Sequence, residues 1–211
     1  MSERADRIRD QIVLWNKRSS KDGLATVMCS DFSETEARLA DATQKEIISR
    51  ILGMVPKFTN GLEIGCGFGR LSTKWLEFGS ELVVVDVSEG MLKKLPKLTT
   101  LHPLIADFVN LPLKADAFGA IFASNVLGHL KEDADLLAAI DEINRVSTPN
   151  CMLFIDEMTG QEGNLIAGHY KIRNPDTISS LLYNWSILAR ESYFFGRQPH
   201  VATAYMKSHL I

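Results

Sequence analysis

The 211-residue chain is poor in cysteine, and its three cysteines, Cys29, Cys66 and Cys151, lie far apart with no CxxC pair. That spacing supports neither a disulfide framework nor a thiolate metal site, and predicts reduced, buried thiols. No cluster of histidine, cysteine and carboxylate residues has ligand spacing, so no metal is expected. No run approaches the roughly 18 consecutive apolar residues of a membrane-spanning helix, and the opening Met1-Ser2-Glu3-Arg4-Ala5-Asp6-Arg7 is too charged for a signal peptide. A cytoplasmic location without a membrane partner is the expectation. Basic clusters are missing too, and with a net charge of −3 the chain lacks the electrostatic footprint of a nucleic-acid partner. Repeats, low-complexity tracts and linkers are absent. With 45% apolar and 23% charged residues, the chain is expected to form one domain over 1–211. Within it, residues 1–55 read as a helical lid or packing segment on a core of residues 56–211.

The pattern alternates helices with short apolar runs. Ile8, Ile12 and Trp15 recur at helical spacing among charges over 4–18, an amphipathic helix suited to a lid. Ser33-Glu34-Thr35-Glu36 is a capping box, and the helix it starts carries Leu39, Ile47, Ile48, Ile51 and Leu52 as a predicted core-facing stripe. From Gly61 on, apolar runs at 62–65, 82–85, 101–106, 117–123 and 152–155 alternate with helical patterns, which reads as buried parallel strands with crossover helices. The helix before the fifth run places Leu136, Leu137, Ile140, Ile143 and Val146 inward and stops at a turn over Thr148-Pro149-Asn150. After a helix near 175–182, the runs 185–195 and 200–206, joined through Gly196 and Pro199, read as a closing antiparallel hairpin.

The segment Leu62-Glu63-Ile64-Gly65-Cys66-Gly67-Phe68-Gly69-Arg70 follows a strand and opens a helix, where glycines let backbone approach a ligand and a helix N-terminus offers unpaired amides. A nicotinamide fingerprint needs G-x-G-x-x-G, but Arg70 stands where the third glycine should be. The spacing here is G-x-G-x-G. Asp86 ends the second strand, about 20 residues beyond the loop, where a carboxylate accepts both ribose hydroxyls. Asp107 ends the third, placed to accept from an adenine amino group while Phe108 covers the ring. Either aspartate alone could be a helix cap or a solvated strand end; together with the glycine loop they describe a nucleoside site.

These residues carry a family resemblance. Glu63-Ile64-Gly65-Cys66-Gly67-Phe68-Gly69 resembles motif I of the class I S-adenosylmethionine-dependent methyltransferases, and Val85-Asp86-Val87-Ser88-Glu89-Gly90-Met91-Leu92 resembles their second motif. Ala106-Asp107-Phe108, Leu111-Pro112-Leu113 with Asp116-Ala117-Phe118, and Glu142-Ile143-Asn144-Arg145-Val146 are similar to later segments. The likeness spans residues 50–160, and the rest follows by topology only. It implies an α/β, Rossmann-like three-layer sandwich with a seven-stranded, mostly parallel sheet and an antiparallel last strand. It also implies S-adenosylmethionine as cofactor, with S-adenosylhomocysteine as product. Glu63 would order the glycine loop near the methionine amino group, Gly65, Cys66, Gly67 and Gly69 would pass under the cofactor, and Asp86 with Val87 would hold the ribose. Met91 would pack on adenine beside Asp107 and Phe108, and Asn125 would lie beside the methionine part. The chain departs from the pattern at Pro149-Asn150, where a glycine is usual, and at Tyr183-Asn184-Trp185, where Gly-Phe is usual.

The expected reaction is methyl transfer to an O or N atom of a small metabolite or short peptide, an in-line displacement that needs mainly positioning and exclusion of water. A nicotinamide oxidoreductase is disfavoured by the glycine spacing; a catalytically silent cofactor-binding partner protein is the other alternative. Ser124-Asn125-Val126-Leu127 lacks the Asp/Asn-Pro-Pro-Tyr/Phe run seen in base-amino methyltransferases, and the chain has no Pro-Cys pair. His129, just past the fourth strand, is the candidate general base with an imidazole pKa near 6.5, the alternative being a histidine that only holds the loop. Trp15, His169, Tyr170 and Arg173 are candidate acceptor contacts; Arg173 would clamp an acceptor carboxylate or pair with Asp176.

Overall fold

The computed structural model describes residues 3–27 and 32–208. Cys29 lies outside the described residues. The order is α1 (Glu3–Arg18), α2 (Glu34–Leu52), β1 (Phe58–Ile64), α3 (Ser72–Trp75), β2 (Gly79–Asp86), α4 (Glu89–Leu92), β3 (Leu101–Ile105), β4 (Phe118–Ser124), α5 (Asp133–Val146), β5 (Ser147–Met158), β6 (Leu165–Ile166), β7 (Tyr170–Lys171), α6 (Pro175–Leu181), β8 (Trp185–Phe195) and β9 (Gln198–Lys207). Seven strands make one sheet in the order β3-β2-β1-β4-β5-β9-β8. β9, last in the chain, runs antiparallel to β5 and β8, whereas β1 to β5 pair in parallel. The order reverses between β1 and β4, both of which end beside the glycine loop, and such a switch point opens a crevice at the carboxyl ends of the strands.

Alternation along the strands fills both faces, as buried parallel sheets require. Ile121 and Ala123 face a core with α5 and α6, while Ala120 and Phe122 face another with α2 and α3. Three layers result. On the second face Trp75 stacks on Phe122 with centroids 4.3 Å apart, a large apolar area supplied by a helix of only one turn.

The capping box at the start of α2 is present: the Ser33 hydroxyl accepts from the Glu36 amide and the Glu36 carboxylate accepts from the Ser33 amide. The stripe behind it is corrected at Leu39, which is 67% exposed, while Gln44 is buried. In α5, Leu137 likewise points out at 49% exposure. Periodicity finds a helical face but not its edges, which are set by what packs opposite. At Thr148-Pro149-Asn150 there is no break before the strand; β5 starts at Ser147 and bulges, with Asn150 at φ 60° taking the left-handed turn expected of it. A short hairpin of β6 and β7 stands apart from the main sheet, over the crevice.

α1 buries none of its residues in the core. Its face of Ile8, Gln11, Trp15 and Arg18 lines the crevice instead. Arg4 pairs with Asp107 and, with Arg7, holds Asp135 at 3.2 and 2.9 Å. The Asn16 side-chain oxygen accepts from the Ser88 hydroxyl at 2.7 Å and the Gly90 amide at 3.2 Å.

Candidate active site

A cavity of about 400 Å³ lies under α1 at the switch point, within the usual size of small-molecule sites. One end is acidic. Gly65 and Gly67 adopt φ of 68° and 56°, left-handed values that glycine takes without strain. A Cβ on Gly65 would lie 2.4 Å from Val126, so the loop touches the β4 turn with nothing between. Asp86 accepts from the Gly67 amide and the Ser88 amide, each at 2.8 Å, and burial holds its pKa above the usual carboxylate value against those bonds. Deeper, the Glu63 carboxylate accepts from the Ser72 hydroxyl and from the Trp75 indole at 3.0 Å; burial pushes it up to about 7. Asp107 accepts from the Val109 amide at 3.2 Å and from Arg4.

Glu63, Gly65, Cys66, Gly67, Asp86, Val87, Asp107, Phe108 and Asn125 all line this one cavity. Two of the expected residues do not. Gly69 packs against Leu95 and Pro96, and Met91 is the fully buried residue of α4. Neither residue lines the cavity, in contrast to the expected passage of Gly69 under the cofactor and contact of Met91 with adenine. Cys66 is a buried lining thiol whose pKa burial drives well up, which makes it inert.

The other end is aromatic. His129 sits on a one-turn 3₁₀ helix at 127–129, between the Trp15 ring edge-on at 5.1 Å, the Tyr170 ring edge-on at 5.2 Å and the His169 ring parallel at 5.4 Å. Its Nδ1 is 3.2 Å from the His169 carbonyl oxygen. A carbonyl only accepts, so Nδ1 carries the proton and Nε2 keeps its lone pair. Nε2 has no protein partner among the described residues and is not sealed, so it opens on the cavity that the ring lines. Burial, then His169, lowers the imidazole pKa to about 4. The expected value near 6.5 is therefore corrected: the ring is neutral through the physiological range.

Tyr170 and Arg173 are built in differently from expectation. Tyr170 is buried on β7, its hydroxyl bonded to the Glu157 carboxylate and accepting from the Met158 amide at 3.1 Å, so only its ring faces the cavity. Arg173 is buried outside the cavity and donates to the Leu130 carbonyl at 2.6 Å and to Asp133 at 3.1 Å. An acceptor clamp is excluded by that burial, and Asp176 pairs with Arg190 instead. Sequence reading missed Arg18, whose guanidinium lies over the Trp15 ring at 5.2 Å, and His200, whose Nε2 meets the Asn125 side-chain oxygen at 2.9 Å. It also missed Glu157. The signal for it was the carboxylate pair Asp156-Glu157 that closes the apolar run 151–155.

The residues fit S-adenosylmethionine by the chemistry of their donor set. Carboxylates line the end nearest the glycine loop, where a pyrophosphate would be repelled and a ribose diol, an ammonium and an adenine amino group find acceptors. Among the described residues no group of three or more His, Cys, Asp or Glu could hold a metal ion, and no helix is long and apolar enough to cross a membrane.

Comparison with known proteins agrees. The sequence model of a family described as a methyltransferase domain matches residues 62–155. A malonyl-[acyl-carrier protein] O-methyltransferase from Serratia marcescens is 30% identical over 122 residues, which make up 56% of this chain and 47% of the relative. The chain thus spans about half the length of the curated relatives it matches. The solved N-methyltransferase NodS from Bradyrhizobium japonicum, in complex with S-adenosylhomocysteine, superposes with a TM-score of 0.76 at 15% identity over 94% of this chain and 99% of its own. The [4+2]-cyclase SpnF superposes at 0.69 with 15% identity over 97% of this chain and 96% of its own, so the fold by itself does not fix the reaction. Over residues 62–155 the chain is thus similar to the methyltransferase domain family, and its sheet has the Rossmann-like fold of these solved structures.

Proposed function

We propose that this protein transfers a methyl group from S-adenosylmethionine to an oxygen atom of a small acceptor, a metabolite or short peptide, held between α1 and the turn that carries His129. One observation carries the reading: a single covered cavity joins the carboxylates of Asp86 and Asp107 to the free Nε2 of a neutral histidine. When bound, S-adenosylmethionine supplies an electrophilic methyl on a sulfonium. The protein's part is to hold an acceptor in line and exclude water. In this reading Glu63, Asp86 and Asp107, with the backbone of the glycine loop and Asn125, hold the cofactor. α1 closes over it through Ile8, Gln11 and Trp15.

His129 decides between acceptor atoms. Its Nε2 accepts a hydrogen bond from an acceptor hydroxyl, which orients the oxygen lone pair. A hydroxyl oxygen becomes strongly acidic as it gains a methyl, so even an imidazole with a pKa of about 4 takes the proton. An ammonium acceptor, with a pKa of about 10 like that of lysine, must lose its proton first, and this ring is some six units too weak a base to take it. The O-methyltransferase names of the curated relatives support the same choice.

The test pairs two measurements. Isothermal titration with S-adenosylhomocysteine should give binding that Asp86→Ala weakens by at least about tenfold. Methyl-labelled cofactor offered to matched alcohols, phenols, carboxylates and amines should label oxygen acceptors ahead of amines. Preferential amine labelling would sink the oxygen assignment. Tight binding with no labelling across the panel would favour a silent cofactor-binding protein.

A further inference from the structure

Four donors converge on one buried carboxylate beneath the candidate acceptor site. Glu157, near the end of β5 and 6% exposed, accepts on Oε1 from the backbone amides of Val126 at 2.9 Å and Leu127 at 2.8 Å. On Oε2 it accepts from the Gly128 amide at 3.3 Å and from the Tyr170 hydroxyl. Those three amides open the one-turn helix that ends in His129, the orphan donors such a turn leaves without intrahelical partners. The carbonyl side of the same turn is held by a second buried charge, because the Arg173 guanidinium donates to Leu127 O at 3.4 Å and Leu130 O at 2.6 Å. Gly128 lies flat on the Tyr170 ring, where a Cβ would come within 2.3 Å. The same ring meets His129 edge-on.

We propose that Glu157, Tyr170 and Arg173 are positioning residues for His129: a carboxylate grips the amides of its turn, a guanidinium grips the carbonyls, and the phenol links the carboxylate to the imidazole's wall. This rests on the reading of His129 as the group that faces the acceptor. Charge explains why the frame is costly and therefore specific. A buried carboxylate is disfavoured unless its oxygens are fully engaged, and burial indeed raises Glu157 to about 7 despite four donors. An apolar floor would have been a cheaper way to close the fold. What the charges add is a fixed register of the turn, and with it the contact of His129 Nδ1 with the His169 carbonyl, which leaves Nε2 as acceptor.

The experiment needs no identified acceptor. Imidazole nitrogen and Cε1 resonances of the 211-residue chain, labelled in histidine, give the pKa and tautomer of His129, and titration with S-adenosylhomocysteine reports the cofactor end of the cavity. In Glu157→Ala the His129 pKa should rise by at least about one unit toward the ordinary 6.5, with loss of the Nδ1–H tautomer and cofactor affinity kept within about threefold. Glu157→Gln, which keeps an accepting oxygen, should restore the tautomer. Tyr170→Phe, which keeps the ring, should give a shift of the same sign and smaller size. If Glu157→Ala does not fold, Tyr170→Phe decides. A His129 pKa and tautomer unchanged in Tyr170→Phe, and in Glu157→Ala where it folds, would overturn the proposal. Failure of the wild-type protein to bind S-adenosylhomocysteine would count instead against the proposed function.

Discussion

Around Asp86 and Asp107 the cavity wall is made by the ends of neighbouring parallel strands and the glycine loop, all within residues 63–108. Around His129 it is made by pieces from the whole chain: Trp15 from α1, the turn after β4, Met158 from β5, Tyr170 from β7 and His200 from β9. The first wall is backbone and carboxylate, positioned by local geometry. The second is side chains held by other side chains. A fold can keep the first while exchanging the second, which is how one architecture serves many acceptors.

The sharpest way to break that comparison is to remove the proposed base of the second wall. His129→Ala should lower turnover by roughly 10² to 10⁴ while leaving cofactor affinity nearly unchanged; equal loss of both would mean that the two ends are not separable. Gly65→Ala should cross the boundary, because its Cβ collides with Val126 at 2.4 Å and φ of 68° is strained for alanine. More than about tenfold weaker cofactor binding together with slower turnover is expected, whereas Gly67→Ala should affect binding alone.

The pH dependence sharpens the contrast. His129 is neutral until its lowered pKa, so the limb of the rate profile belonging to the imidazole should fall as pH drops through about 4, not 6.5. An inflection near 7 that disappears in Glu157→Gln belongs to the carboxylate, whose pKa burial has raised. A limb at 6.5 lost in His129→Ala would show that the ring is solvated. A smaller effect is expected at the lid. Arg4→Ala removes partly exposed ion pairs worth up to about 1 kcal/mol together, so cofactor affinity should change by no more than about fivefold. The smallest is none at all: chelators should leave the rate unchanged, and strict dependence on an added divalent ion would require a ligand set not seen among the described residues.

The same contrast explains what could be read from the chain. Asp86 and Asp107 were legible because they close apolar runs next to a glycine loop, and the capping box at Ser33 and Glu36 because its two bonds are local. Leu39 and Leu137 were misjudged because a helical stripe says nothing of where its covering neighbour stops. Arg173 was assigned either to the acceptor or to a pair with Asp176 because a charge in a loop reads as solvent-facing; that it lies 4% exposed against backbone carbonyls is a tertiary fact. Glu157 and His200 do their work through residues about 30 and 75 positions away. No spacing rule reaches that far.

α1 bears on Asp107 through Arg4 and on His129 through Trp15, a span of eleven residues or about 16 Å of helix. One roof therefore serves both compartments, and the two ligands share a doorway. If α1 is the proposed lid, exchange of the spent cofactor would lift the cover from the acceptor as well, and departure of one product would unlock the other. At saturating acceptor the pace of repeated turnovers would then be set by the swinging of this helix, and solvent viscosity should slow it.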